Sequence, residues 1–217
     1  VRLLLDRGAD VDLAAPGDGS PLIAAVRSGD RATVESLLAA GADADRYVRG
    51  DEAPLYHAVV RGRADIVELL ISAGADVDAR YPRDGTPLML ALRHGHDDVA
   101  RLLIAGGADL DRSVQGDGNA LIEAVRSGDG AAVDRLLALG ANPNSVVRGD
   151  GSPLINAAAA GRADLATVLL RSGADVNLAV RGDDTPLINA ARSGNADLVA
   201  LLIAAGADVT QPGDKDP

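Results

Sequence analysis

The sequence predicts an all-α repeat solenoid, and three observations carry that expectation. The heptapeptide Gly17-Asp-Gly-Ser-Pro-Leu-Ile23 returns as five near-copies, each beginning 33 residues after the last. Two stretches with helical apolar spacing follow every copy. Each stretch closes on a glycine. A fixed period of this size marks an array of supersecondary units, none of which buries its apolar face alone.

The array opens with a half repeat, 1–16, whose Val-Arg-Leu-Leu-Leu-Asp-Arg-Gly-Ala-Asp matches the end of every later unit. Full repeats follow at 17–49, 50–82, 83–115, 116–148, 149–181 and 182–214, making one repeat domain with a polar tail, 215–217. Residue 1 is Val and falls within a helical pattern, so the chain reads as part of something longer. Neither end carries a specialised polar cap of the kind terminal repeats use.

Within a repeat the local signals agree. Ser20, Thr86, Asn119, Ser152 and Thr185 stand where a side-chain oxygen caps a helix, and Ala53 breaks the series. Pro follows in five units of six, at the helix position where its missing N–H costs nothing. The first helix sets Leu22, Ala25 and Val26 on one face, a pattern repeated as Leu121, Ala124 and Val125. Gly29, Gly62, Gly95, Gly128, Gly161 and Gly194 end it. The second helix presents faces such as Ile66, Val67, Leu70 and Ile71, and Asp65, Asp98, Asp164 and Asp197 complement its dipole in the first turn. Gly41, Gly74, Gly107, Gly140, Gly173 and Gly206 close it. The unit is a loop, a short helix, a turn and an antiparallel helix.

Composition narrows the function. With no Phe, Trp or Cys and three Tyr, the core is aliphatic, and neither disulfides nor thiolate metal sites contribute. The net charge of −11 repels phosphate backbones, so nucleic acid is not an expected partner. No apolar run reaches the length of a membrane span, so no membrane contact is expected of this stretch. The cellular compartment is left open.

The Thr86-Pro-Leu, Thr185-Pro-Leu, Ser20-Pro-Leu and Ser152-Pro-Leu starts, with endings of the Gly-Ala-Asp-Val-Asp type at 74–78, resemble ankyrin repeats over residues 1 to about 210. The resemblance implies a curved stack of helix-turn-helix units joined by β-turn or hairpin fingers. It further implies a non-catalytic module that binds another protein on its concave face and fingers. Two departures stand out. The His that the family carries after Pro-Leu is replaced by Ile23, Tyr56, Met89, Ile122, Ile155 and Ile188, so apolar packing is expected in its place. The loop reads Gly-Asp-Gly, shifted by one step from the family's usual Asp-Gly. This variety is similar to ankyrin stretches attached to some bacterial membrane-bound metallopeptidases, which makes a regulatory or sensory appendage an alternative reading. A structural spacer is another.

Stacking turns each repeat position into a row. The end of the first helix carries Arg27, Val60, Arg93, Arg126, Ala159 and Arg192, a basic strip able to dock a partner's acidic surface or merely to complement helix dipoles. Ala24, His57, Leu90, Glu123, Asn156 and Asn189 form a varied row expected to face the groove. The finger tips carry Ala15, Val48, Tyr81, Val114, Val147 and Val180 beside Tyr47 and Val146, which either anchor a partner or pair between fingers. Arg49, Arg148 and Arg181 begin Arg-Gly-Asp tripeptides that arise from loop drift around a recurrent Gly-Asp. The recurrent Asp-x-Asp, as at Asp43 and Asp45, lacks the ligand arrangement of a calcium loop and reads as structural. His94 and His96 alone make no zinc site, and no nucleophile set or phosphate loop is present. No catalytic residue, cofactor or metal is expected.

Overall fold

The computed structural model describes residues 8–14, 19–48, 51–81, 84–114 and 116–213. Arg49 lies outside them, as do Ala15 and the Gly17-Asp18 start of the first heptapeptide. The described residues form twelve helices and no extended sheet. By their internal contacts they group into two units, Val1–Asp109 and Leu110–Pro217.

The first unit contains α1 (Pro21–Ser28), α2 (Arg31–Ala39), α3 (Pro54–Val60), α4 (Ala64–Ser72), α5 (Pro87–Arg93) and α6 (Asp97–Ala105). The second contains α7 (Ala120–Ser127), α8 (Gly130–Ala138), α9 (Pro153–Ala159), α10 (Ala163–Arg171), α11 (Pro186–Ser193) and α12 (Ala196–Ala204). In each unit the odd-numbered helix packs on the following even one, and both kinds stack on their counterparts in the next repeat. In each unit two layers therefore enclose an aliphatic core. Leu22, Ile66, Leu88 and Leu103 fill the core of the first unit, and Leu121, Leu136 and Leu154 that of the second.

The helices are short, seven to nine residues, so their ends matter more than their propensity. Ser20, Thr86, Asn119, Ser152 and Thr185 each accept the backbone N–H three residues on. Ala53 offers no such bond, and α3 begins uncapped. At the far end of α7, Gly128 takes the left-handed conformation with φ 76° and returns its N–H to the helix carbonyls.

The second helices are entered in two ways. Asp30 and Asp129 cap α2 and α8 locally. Arg63, His96 and Arg162 instead reach back to the preceding repeat, where Arg63 Nη2 meets Gly29 O at 3.0 Å and His96 Nε2 meets Val60 O at 3.2 Å. Asn195 does both, accepting from Leu198 N and donating to Gly161 O. One set of hydrogen bonds between repeats thus starts at the entry to the second helix, while the usual His position after Pro-Leu packs apolar side chains except at Tyr56, whose hydroxyl donates to Asp84 of the next repeat at 3.3 Å. Ile23, Met89, Ile122 and Ile155 are buried there.

The Asp-x-Asp endings build a ladder. The first residue of each pair takes the N–H of the second, as Asp76 Oδ1 does from Asp78 at 2.9 Å. The second takes the N–H of the first in the next repeat: Asp43 N to Asp12, Asp76 N to Asp45, and Asp109 N to Asp78. The second unit repeats the pattern, with Asn144 and Asn177 replacing the acceptor carboxylate. The ladder carboxylates accept backbone amides.

Candidate functional surface: the fingers and the ends of the first helices

Each described finger closes on a single pair of residues: Val48 with Asp51, Tyr81 with Gly85, Val114 with Gly118, Val147 with Gly151, and Val180 with Asp184. These bridges lie within a finger, not between fingers. They turn the tip residue inward, so Val48, Val147 and Val180 are buried and Tyr81 is 3% exposed. The residues beside them, Tyr47 and Val146, point outward instead.

The departures from Asp-Gly and from His are one feature. Gly85, Gly118 and Gly151 adopt positive φ to close the finger. A Cβ on Gly85 would lie 2.8 Å from Met89 Cε, and one on Gly118 would lie 2.8 Å from Ile122 Cγ2. The apolar residue after Pro-Leu tucks under the finger, and the glycine makes room for it. Asp184 occupies the corresponding position in the last finger at φ 61°, and Ile188 there is only half-buried.

The arginine row meets a row of finger aspartates. Arg27 Nη1 lies 3.1 Å from Asp51 and Arg126 Nη2 lies 2.8 Å from Asp150, both in the next finger. Arg93 and Arg192 turn to Asp84 and Asp184 of their own fingers. The strip is therefore a set of oriented ion pairs. Arg27 and Arg192 engage through one terminal nitrogen each and keep side-chain exposures of 44% and 65%. Asp150 is 7% exposed and also accepts the N–H of Gly116, tying two fingers together. Its burial takes the aspartate of the 148–150 Arg-Gly-Asp away from display. Arg148 and Arg181 remain on the surface.

The varied row divides. Asn156 Nδ2 donates to Asp150 O and Ser152 O, while its Oδ1 accepts from Arg126 Nε at 3.0 Å. Asn189 makes the same two bonds to Asp183 O and Thr185 O. Both amides brace the finger that precedes them. Leu90 and Glu123 are buried, and Ala24 is exposed. His57 is half-buried and edge-on to Tyr56. Burial, followed by Arg61 and Arg27, holds its pKa below the ordinary imidazole value.

Four of the residues singled out in the sequence share one cleft in the second unit. Arg126, Asn156, Asn189 and Arg192 line a space of about 210 Å³ together with Asp150 and Asp183. Burial raises the Asp183 carboxyl above its usual range, Asp150 adds to the rise, and Arg126 opposes it. Among the described residues no group of three or more His, Cys, Asp or Glu side chains is placed to hold a metal ion. None of the described helices is long and apolar enough to cross a membrane.

The family model "Ankyrin repeats (3 copies)" matches residues 1–81, 22–114, 76–146 and 121–212. The chain belongs to the ankyrin-repeat family. Solved ankyrin structures agree. An ankyrin repeat domain from Acinetobacter baumannii AYE is 30% identical with TM-score 0.79, over 87% of this chain and 98% of that one. The ankyrin repeat domain of Bcl-3, described as a unique member of the IkappaB protein family, is 30% identical with TM-score 0.78, over 92% and 91%. The human ASB11 ankyrin repeat domain is 28% identical with TM-score 0.71, over 89% and 87%. No curated protein matches the chain. Ankyrin repeat domains are in general modules of protein–protein interaction.

Proposed function

We propose that this ankyrin array is a non-catalytic module that binds a partner protein through its fingers and the C-terminal ends of its first helices. The observation that carries the reading is the cleft formed by Arg126, Asn156, Asn189 and Arg192. Its cationic groups are oriented by internal partners before any ligand arrives. Pre-orientation lowers the entropic cost of docking, and exposed guanidiniums can add a second carboxylate to the one they hold. An acidic partner surface fits this arrangement.

The test is paired affinity capture from the native host, using the wild-type chain and the variant Arg27→Gln, Arg93→Gln, Arg126→Gln, Arg192→Gln. Gln is preferred to Glu because a new carboxylate would repel the finger aspartates. The reading expects a protein retained by the wild type and lost by the variant, at comparable thermal stability. An unchanged capture profile contradicts it and favours a spacer, whose exposed rows are exchangeable. The appendage reading requires membrane spans and a His-Glu-x-x-His motif in the flanking sequence.

A further inference from the structure

The first unit holds a second cleft, of about 490 Å³, with different chemistry. Its wall carries three carboxylates, Asp45, Glu52 and Asp76, to one guanidinium, Arg80. Tyr47 stands at its rim, 61% exposed, and Tyr81 forms part of its floor. Asp45 and Asp76 serve the ladder through Oδ1. The Tyr81 hydroxyl is the second, independent feature: it is buried and has no hydrogen-bond partner. Burial raises its pKa, and the wall's three carboxylates add to the rise. A buried phenol without a partner is costly, and three carboxylates against the one guanidinium of Arg80 leave the wall with surplus negative charge.

We propose that this cleft receives an arginine side chain of a partner polypeptide. A guanidinium supplies planar donors for the carboxylates and for the Tyr81 oxygen, and a flat face for the Tyr47 ring. The proposal rests on the reading of the array as a protein-binding module only in that the cation is carried by a polypeptide. It concerns the first unit alone.

The chain reports on this cleft by itself. Its only tyrosines are Tyr47, Tyr56 and Tyr81, and it has no tryptophan. Two of the three line the cleft, and Tyr56 packs edge-on against Tyr81 at 5.0 Å. The experiment titrates the blocked peptide Gly-Arg-Gly to about 10 mM at low ionic strength and follows tyrosine emission. The test variant is Asp45→Asn, Glu52→Gln, Asp76→Asn. Asn keeps the Oδ1 acceptor, and Asn144 and Asn142 already stand at the corresponding ladder positions. A control with the same charge change, Glu35→Gln, Glu68→Gln, Asp134→Asn, lies away from the cleft.

The expected result is a saturable response that weakens at least about tenfold in the cleft variant and little in the control. Blocked Gly-Glu-Gly should give none. No saturable response, an equal loss in both variants, or an equal response to the glutamate peptide overturns the proposal. Each outcome is separate from the capture experiment, because none of the four arginines replaced there lines this cleft.

Discussion

Ile122 fills the space that a Cβ on Gly118 would need, its Cγ2 standing 2.8 Å from that position. Gly118 also holds φ 80°. Gly118→Ala should therefore cost more than the ~1 kcal/mol of an unfavourable left-handed residue, since a close contact is added. Ile122→Ala should cost ~2–5 kcal/mol. The double variant should be less destabilised than the sum, because removing the isoleucine relieves the contact. Urea unfolding of the four proteins checks the coupling, and strict additivity would show that glycine and isoleucine are independent.

Asp78 takes the N–H of Asp109 through Oδ1 at 2.9 Å. Asp78→Asn should leave stability within ~0.5 kcal/mol, because an amide oxygen accepts equally and Asn144 does so in the second unit. Asp78→Ala should cost ~1 kcal/mol. Equal losses for both variants, in thermal or urea unfolding, would mean that the negative charge and not the acceptor holds the ladder.

Asp150 joins Arg126 to the amide of Gly116 from a buried position. Asp150→Ala removes both acceptors and should cost ~1–3 kcal/mol. Hydrogen exchange at the Gly116 amide should rise in parallel. Unaltered exchange there would show that the bond does not protect the finger.

His57 supplies a pH dependence of definite sign. Its folded pKa lies below the ordinary value of 6.5, chiefly through burial. The unfolded chain therefore binds more protons in this range. The neutral ring's contribution is full above pH 6.5 and is lost as pH falls through the depressed folded value. In His57→Gln, stability should fall less steeply from pH 6.5 to about 5. Identical pH profiles would contradict the assignment.

The fold was legible because its cues recur in phase. Leu121, Ala124, Val125 and Gly128 repeat at the same spacing in unit after unit, and helix ends depend on nearby residues. The Asp-x-Asp ladder was not, because Asp45 meets Asp76 only across stacked repeats. The arginine and aspartate rows were each visible, but their pairing was not. Arg126 reaches forward to the next finger and Arg93 reaches back to its own, a choice set by finger geometry. Tyr81 and Leu90, 3% and 1% exposed, show the same limit. Phase places a residue on a row, but local loop closure decides whether it faces in or out. The unpartnered Tyr81 hydroxyl carried no sequence cue.

Docking of a partner protein on the fingers and first helices leaves a footprint in backbone exchange. Hydrogen–deuterium exchange of the captured complex against the free chain tests it most directly. Protection should concentrate in residues 20–28, 119–127, 149–159 and 182–193. Protection confined to the second helices, 163–171 and 196–204, with the fingers unchanged, would contradict it.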